Sequence, residues 1–281
     1  MFARPVLRPI AHRSTIICID FFFFDDMSDF EIKITRDKNE IEEAQKLRFE
    51  VFNLEMGKGL ASSYERGLDV DDYDPLCEHL IVRDLESNRV AGTYRLLLGS
   101  EAKKHFGFYS EREFNLEQIK KLGDQALELG RSCAHKDYRD RALIPLMWEA
   151  IAHYVKSHRV RYLFGCASLY TTDPREVSES FALLKAKYYA PEGHRVFPLP
   201  GKSFPNLNEE AQLDDEQALF SRLPSLVKGY LRVGALVCGP PAIDPEFGTS
   251  DFFLLLDMNN LSTEYLRRFG LIGSRVQSAA G

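Results

Sequence analysis

The sequence lacks the marks of several protein classes. Its five cysteines are an odd number, scattered along the chain without a CxxC pair, so we predict no disulfide framework and favour a reducing compartment. It has no run of 18 apolar residues, which argues against a transmembrane helix. The formal net charge of −6 gives no bulk attraction to nucleic acid, and we predict no nucleic-acid partner.

The sequence also lacks the common nucleotide, hydrolase and metal motifs. GxGxxG, GxxxxGK[ST], GxSxG and HExxH are all absent. His153 and His158 are five residues apart, a spacing that does not align them on one helical face, and we predict no metal site there.

The N-terminal residues 1–27 differ from the rest of the chain. A basic start precedes an apolar run over 16–24, but Asp20 interrupts the run and Asp25 and Asp26 close it without a small-x-small cleavage site. We interpret residues 1–27 as a dispensable leader rather than a secretion signal, and Met27 as a candidate true start. Residues 28–281 are predicted to form a single domain.

The remaining chain alternates strand-like and helix-like segments. Asp37 is a candidate N-cap that Glu40 would complete as a capping box, and 79–84 with 90–99 read as a hairpin. The order predicts an α/β (α+β) domain with a mixed, mostly antiparallel sheet flanked by helices. The predicted strands are 30–35, 79–84, 90–99, 126–135, 161–169 and 251–258, and the predicted helices are 37–55, 117–123, 142–158, 176–188, 216–231 and 261–269.

Charged residues interrupt several of these apolar segments. A charge inside a buried strand is costly unless it is paired. We therefore predict that these acids and arginines neutralise one another around a cleft. They are Arg48, Arg95, Glu128, Arg131 and the D-x-D-x-x-D residues Asp69, Asp71 and Asp74.

These motifs, in this order, carry a family resemblance that spans roughly residues 30–270. The chain resembles GNAT-like acyltransferases related to the acyl-homoserine lactone synthases, and most closely the ornithine N-acyltransferases that make lyso-ornithine lipid. The segments that carry it are LRFEVF, D-x-D-x-x-D, GTYRLL, GFYSEREF, LELGRSCAH, RYLFGCASL and the long run from LRVGALV to FFLLL.

The resemblance implies a GNAT-like fold and a specific reaction. A 3-hydroxyacyl chain would pass from acyl carrier protein to the α-amine of an amino acid to give a lyso-aminolipid. Ornithine is the acceptor that the resemblance implies. The phosphopantetheine thioester would be a co-substrate, and no cofactor or metal is expected. The resemblance also implies a cytoplasmic enzyme, which could contact the inner membrane peripherally.

Roles for individual residues follow from the chemistry and the resemblance together. An amino acid's α-amine must lose a proton before it attacks a thioester, and Glu128 is the candidate base. The catalytic set is completed by Arg131, Ser132 and Cys133, with the oxyanion donor expected among the backbone N–H groups of 132–134. Tyr188 or Tyr189 is the candidate donor to the departing thiolate.

Binding roles fall to the remaining charged residues. An arginine fork suits the acceptor's carboxylate, and Arg48, Arg95 and Arg131 are available for it. Asp69, Asp71 and Asp74 could bind a cationic side chain or could simply hold the arginines. The carrier protein or its phosphate would meet Lys136, Arg139 and Arg141.

Several alternatives remain open. The same fold could make a signal molecule by acyl transfer to S-adenosylmethionine or to an aromatic amino acid. A module that only binds carrier protein or lipid is the non-enzymatic alternative. Glu128 and Arg131 could form a structural ion pair, and Cys133 near His135 suggests a thiol nucleophile, although a buried inert cysteine is favoured.

Overall fold

The computed structural model describes residues 29–139 and 143–268. The predicted leader over 1–27, the candidate carrier contact Arg141 and the last dozen residues lie outside these ranges.

Within the described ranges, a sheet of eight strands forms the centre of the domain. Its strands run in the order β1-β2-β3-β5-β6-β10-β8, and β9 pairs with β10 beside this path. Every pair is antiparallel except β5 with β6, so the predicted mixed, mostly antiparallel sheet is confirmed. The strands are β1 Phe30–Thr35, β2 Glu78–Asp84, β3 Val90–Leu98, β5 Ala126–Ala134, β6 Tyr162–Leu169, β8 Leu236–Val237, β9 Ala242–Asp244 and β10 Thr249–Asp257; β4 Phe114–Asn115 and β7 Phe197–Pro198 form a separate ribbon.

Helices connect the strands and cover the sheet. The longest are α4 and α5, which follow β5 and β6 respectively. The α-helices are α1 Lys38–Arg48, α2 Gly99–Ala102, α3 Glu117–Lys120, α4 Leu143–Ser157, α5 Pro174–Tyr188, α6 Glu216–Arg222, α7 Ser225–Arg232 and α8 Thr263–Arg268. None of the helices within 29–139 and 143–268 has the length and apolarity to cross a bilayer.

The first helix begins as predicted but continues differently. The Asp37 carboxylate accepts hydrogen bonds from the backbone N–H groups of Asn39 and Glu40, which confirms the N-cap. The reciprocal half of the predicted capping box is wrong, because Thr35 Oγ1 accepts the Asp37 N–H and the Glu40 carboxylate pairs with Lys33. Beyond Arg48 the chain winds as a π-helix, Phe49–Glu55.

The predicted helix 216–231 is two helices. Pro224 has no backbone N–H to donate and separates α6 from α7. The predicted helix 176–188 begins two residues earlier, at Pro174, with Asp173 as its N-cap.

Both faces of the sheet are buried. Leu96 packs in the core beneath α4, with the predicted stripe of that helix, and its neighbour Leu97 packs in the core of the opposite face. The stripe of α4 is fully buried as predicted, at Leu143, Met147, Ile151 and Tyr154. The sheet therefore holds its central strands rigidly between two apolar layers.

Candidate active site

Two neighbouring strands part at the middle of the sheet. β5 and β6 pair in parallel only through Ala126–Glu128 and the facing residues 162–164. Gly165 lies against the carbonyl of Leu129, so closely that a Cβ on it would stand 2.2 Å from that oxygen. Beyond this point the strands diverge, although β5 runs on to Ala134 and β6 to Leu169.

A cavity of about 160 Å³ lies at this divergence. Its wall contains residues of both strands, and further residues come from the π-helix and the loop after it, β3, the turn after Phe108, α7 and the segment around β9 and β10. The polar and charged lining residues are Lys58, Tyr73, Arg95, Tyr109, Ser110, Glu113, Glu128, Arg131, Ser132, Ser168, Tyr170, Tyr230, Asp244, Thr249 and Asp251. Charged groups of both signs therefore meet in one cavity.

A bulge in β5 shapes the cavity wall. The register between β3 and β5 shifts between Thr93 and Arg95 of β3, so β5 carries one extra residue there. Arg131 has a φ of 48°, in the left-handed region that non-glycine residues seldom adopt. The bulge re-aims the Arg131 side chain, whose guanidinium packs over the Tyr109 and Phe247 rings at 5.4 and 5.0 Å.

The predicted pairing of buried charges is present as an arginine–aspartate network, which comprises Arg48, Arg95, Arg131, Asp69, Asp71 and Asp74. Arg48 donates to both oxygens of Asp74 at 2.9 Å and to Asp69 Oδ2 at 2.8 Å. Gln45 adds a bond to Asp74 Oδ2 at 2.9 Å. Burial would raise the pKa of Asp74, but the Arg48 and Arg95 charges outweigh it and hold that pKa well below its usual range.

Arg95 and Arg131 connect this network to the cavity. Arg95 donates to Asp71 Oδ1 at 2.6 Å and to Asp74 Oδ1 at 3.1 Å, and Arg131 donates to Asp71 Oδ2 at 3.2 Å. Both guanidinium groups belong to residues that line the cavity. The aspartates therefore hold two cations at its wall.

Four residues predicted to bind substrate, Arg48, Asp69, Asp71 and Asp74, do not line the cavity. Arg48, Asp69 and Asp74 are almost completely buried, and the side chain of Asp71 is 7% exposed. Their charges are engaged in ion pairs with one another and with Arg95 and Arg131. They are positioning residues that lie behind Arg95 and Arg131.

Glu128 is held separately from the arginines. Its Oε2 accepts the backbone N–H of Tyr109 at 2.7 Å, and its Oε1 accepts the N–H and hydroxyl of Ser110 at 2.8 and 2.5 Å. No ion pair joins Glu128 to Arg131, so the structural alternative of such a pair is wrong. Burial raises the pKa of Glu128, despite the bonds from Ser110 and Tyr109.

The residues after the bulge divide between the two faces of β5. Ser132 lines the cavity, whereas Cys133 packs beside Leu47 and Val51. Burial raises the pKa of the Cys133 thiol to about 12, which keeps it protonated and inert. The cavity-lining part of β5 is 128–132, so of the expected oxyanion segment 132–134 only Ser132 lines the cavity.

The two predicted tyrosines lie elsewhere. Tyr188 stacks on Phe220, and Tyr189 lies edge-on to Phe181, so both belong to the apolar layer under α5. Neither lines the cavity, so the structure does not bring these candidate thiolate donors to it. A helix pattern in a sequence does not determine which face of the sheet the helix covers.

The predicted carrier-protein contacts follow β5 at the surface. Lys136 is exposed on a short 3₁₀ turn, Lys136–Tyr138. Arg139 is exposed too, but it donates to Ala134 O at 3.1 Å and to Glu55 Oε2 at 2.8 Å. Arg139 therefore ties this surface to the end of the π-helix.

A second group of acids was missed by the sequence analysis. Glu113, Asp244 and Asp251 are buried, and each offers a carboxylate oxygen within 4.8 Å of the others. We call them the carboxylate triad. Glu113 precedes Asp244 and Asp251 by more than 130 residues, and the pairing of β9 with β10 and the turn after Phe108 bring the three together.

Similar proteins share this architecture. Residues 47–149 match the family model for an acetyltransferase (GNAT) domain. The AHL synthase LasI has the same fold, with a TM-score of 0.50 and 16% sequence identity over 88% of this chain and 98% of that one. The fold and the cavity at the parted strands define a GNAT-type acyltransferase.

Sequence similarity identifies the family. The chain is 36% identical to an L-ornithine N(alpha)-acyltransferase of Rhodobacter capsulatus, over 84% of this chain and 93% of that one. It is 33% identical to an L-ornithine N(alpha)-acyltransferase of Brucella abortus, over 91% of this chain and 94% of that one. The protein belongs to the L-ornithine N(alpha)-acyltransferase family.

Proposed function

We propose that this protein transfers an acyl chain from the pantetheine thioester of acyl carrier protein to the α-amine of L-ornithine. The observation that carries the proposal is the cavity at the divergence of β5 and β6, where the buried carboxylate of Glu128 and two guanidinium groups meet. The family relatives, which are named for ornithine acylation, support the choice of acceptor.

An apolar recess of about 30 Å³ supports an acyl group larger than acetyl. It continues from the cavity, because Leu129, Cys166 and Tyr230 line both. Burial of a methylene contributes about 0.8 kcal/mol, so a recess that holds the first methylenes of the chain favours a fatty acyl group over an acetyl group. Its other lining residues are Trp148, Leu163, Phe164, Gly165, Ala235, Leu254 and Leu256. A 3-hydroxyl on the chain remains part of the proposal on the ground of family resemblance.

The wall formed by Arg95 and Arg131 suits the acceptor's α-carboxylate. Both guanidinium groups keep N–H donors beyond those that the aspartates accept, since each carries five. Arg131 Nε is buried 3.7 Å from Asp69 Oδ2, so the N–H groups of Arg131 that would meet a bound anion are those of Nη1 and Nη2. The carboxylate would thus be held while the amine reaches Glu128.

Glu128 is the proposed general base, directly or through a water. Three donors already bind its two oxygens, and Oε2 accepts only one of them, so it retains a lone pair for a proton. The α-ammonium would lose one proton to Glu128, and the nitrogen would then attack the thioester carbonyl. The C–S bond breaks as the amide forms, and the second proton of the nitrogen neutralises the leaving thiolate.

The parted strand supports stabilisation of the oxyanion. Backbone N–H groups that no neighbouring strand accepts are suitable donors for the tetrahedral intermediate. The segment 129–132 lines the cavity beyond the last β5–β6 pair, so we assign the donor to it. This assignment replaces the sequence-based choice of 132–134.

Acyl carrier protein remains the proposed donor partner. Lys136 and Arg139 are exposed directly after β5, the strand that enters the cavity. Cationic surface groups at this position would attract an acidic carrier and raise its rate of association. Salt would weaken such an attraction.

Mass spectrometry of acyl-transfer products tests the proposal. The purified protein is incubated with 3-hydroxyacyl carrier protein and, in parallel, with ornithine, lysine, glycine or S-adenosylmethionine. We expect N-acylornithine as the main product, and its loss with acyl-CoA in place of the carrier thioester. Transfer to S-adenosylmethionine alone would instead indicate a signal-molecule synthase, and no transfer to any amine would indicate a binding module.

A further inference from the structure

We propose that the carboxylate triad binds the side-chain ammonium group of the acceptor and thereby selects a diamino acid. This inference rests on the proposed function, because it identifies a second subsite in the same cavity. All three residues line that cavity, on the side built from β9, β10 and the turn after Phe108.

The triad differs from the arginine–aspartate network in its lack of cations. Each aspartate of the network forms at least one ion pair with an arginine. Across 29–139 and 143–268, no Lys, Arg or His nitrogen lies within 4.0 Å of a triad carboxylate oxygen. Three buried acids without a counter-charge are costly, and a cationic ligand would offset that cost.

Within the described part of the chain, one triad oxygen accepts no hydrogen bond from an N–H donor. Glu113 is 4% exposed, and its Oε2 is buried without a hydrogen bond. A buried oxygen that accepts no hydrogen bond in a substrate cavity is suited to accept one from an N–H group of the substrate. Asp244 and Asp251 are already oriented, since Asp244 Oδ1 accepts the N–H of Glu246 at 2.9 Å and Asp251 Oδ1 accepts the Thr249 hydroxyl at 3.2 Å.

The chemistry of the triad fits an ammonium group. A primary ammonium has three N–H donors, one for each carboxylate. A calcium ion would take six to eight oxygen ligands at once, whereas two of the triad oxygens are already occupied by Thr249 and by the turn after Asp244. The number of donors and acceptors therefore favours the amine over a metal ion.

The turn Tyr109–Arg112 relates the two ends of the acceptor. Its first N–H groups hold Glu128, and Glu113 follows its last residue. The base for the α-amine and the acid for the side-chain amine are therefore fixed by one rigid segment. In this arrangement, Arg95 and Arg131 would bind the α-carboxylate of the acceptor.

The experiment compares L-ornithine with L-norvaline, which is ornithine without its terminal amine. Measurements of kcat/KM for both acceptors are made on the natural protein, Glu113→Gln and Asp251→Asn. Glu111→Gln is the matched control, because Glu111 lies on the same turn but pairs with Lys120 outside the cavity. The ratio of the two kcat/KM values does not depend on the folded fraction of a variant.

We expect the natural protein and Glu111→Gln to prefer ornithine by about 10²-fold or more, as a site built for a hydrogen-bonded group does. In Glu113→Gln and Asp251→Asn, the ratio should fall at least about tenfold, through loss of activity on ornithine rather than on norvaline. An unchanged ratio in both variants would overturn the proposal. A stoichiometric divalent cation in the purified protein that both variants lose would overturn it as well.

Calorimetric titration separates this inference from the proposed function. If no acyl transfer occurs with any amine, the proposed function fails, but binding of L-ornithine can still be measured. Ornithine binding that Glu113→Gln weakens at least about tenfold and Glu111→Gln leaves unchanged would support the triad as the ammonium site. Equal binding of ornithine and norvaline to the natural protein would contradict it.

Discussion

Arg48 and Asp74 form a two-pronged ion pair in which Nη1 and Nη2 each donate to a different carboxylate oxygen at 2.9 Å. Arg48 is 1% exposed and Asp74 is 2% exposed, so neither charge is shared with water. Asp74 also accepts from Arg95, a residue of the cavity wall. The pair therefore fixes the first helix to the central sheet and positions a substrate-facing guanidinium at the same time.

Removal of the Asp74 charge should destabilise the protein. In Asp74→Asn, Arg48 and Arg95 lose a shared counter-charge inside the protein, and breaking a buried pair costs about 3–5 kcal/mol. We expect the free energy of unfolding in urea to fall by that amount. The matched control is Asp72→Asn, because the Asp72 side chain is 86% exposed and its contact with Arg112 is 3.9 Å long. Equal stability of the two variants would contradict the role of the network.

Neutralising Glu128 should slow the chemical step. Glu128→Gln keeps the size of the side chain but removes the proton acceptor, and a general base contributes about 10²–10⁴-fold to kcat. We expect kcat to fall within that range while the KM for ornithine changes little, measured by thiol release from the acyl carrier protein. In the natural protein, kcat should decline as pH falls through the raised pKa of Glu128. A variant that retains full activity would remove Glu128 from the mechanism.

The close approach of β6 to β5 should not tolerate a side chain. In Gly165→Ala, the added Cβ would lie 2.2 Å from the Leu129 carbonyl oxygen, so the strands must separate at the point where the cavity begins. Overpacking costs about 1–3 kcal/mol, and we expect a lower Tm together with reduced acyl transfer. Gly193→Ala serves as a control, since a Cβ there meets no atom within 4 Å. A Tm equal to that of the control would contradict the tight contact.

The carboxylate triad should make the protein less stable as pH rises. Burial, Asp251 and Asp244 raise the pKa of Glu113 to about 9, well above the value of about 4.3 in an unfolded chain. Such a group adds stability below pH about 4 and loses that contribution as pH rises towards 9.

Glu113→Gln should remove this pH dependence. The neighbours that face the group are the acids Asp244 and Asp251, the Cys166 thiol and the more distant Lys202, all unchanged in the variant. We expect Glu113→Gln to be more stable than the natural protein by about 1–3 kcal/mol at pH 8 and equal to it at pH 4, in urea unfolding. If Glu113→Gln were instead less stable than the natural protein at pH 8, Glu113 would be ionised in the folded protein.

The sequence predicted the elements that local patterns determine. The stripe of α4 comes from periodicity and the hairpin of β2 and β3 from two apolar runs joined by a short polar segment, and both patterns depend only on neighbouring residues. The sequence also predicted that the charges inside these elements are paired, because a single charged residue in an apolar strand, such as Arg95 or Glu128, demands a partner. The pairing of three arginines with three aspartates follows from that demand and is confirmed.

The sequence could not predict which charges face the substrate. Arg48 and Arg95 have similar sequence surroundings, yet one is enclosed behind the network and the other lines the cavity. The triad was missed because Glu113 lies outside the regular elements and Asp244 ends a three-residue strand that no sequence pattern indicates, and an acid at such positions is ordinarily exposed. Glu128 was expected beside Arg131, but the backbone N–H groups of Tyr109 and Ser110 bind it instead, and no sequence pattern encodes a bond to a backbone.

The position of β10 in the sheet has a consequence for synthesis of the chain on the ribosome. Among the described residues β10 is the last strand in chain order, yet it pairs with β6 at the centre and brings Asp251 beside Glu113. A nascent chain that ends after β6 already contains Arg95 and Glu128 but leaves one edge of β6 uncovered. The cavity is therefore complete only after β10 has been synthesised, and a product terminated before β10 lacks the subsite that would distinguish one amine from another.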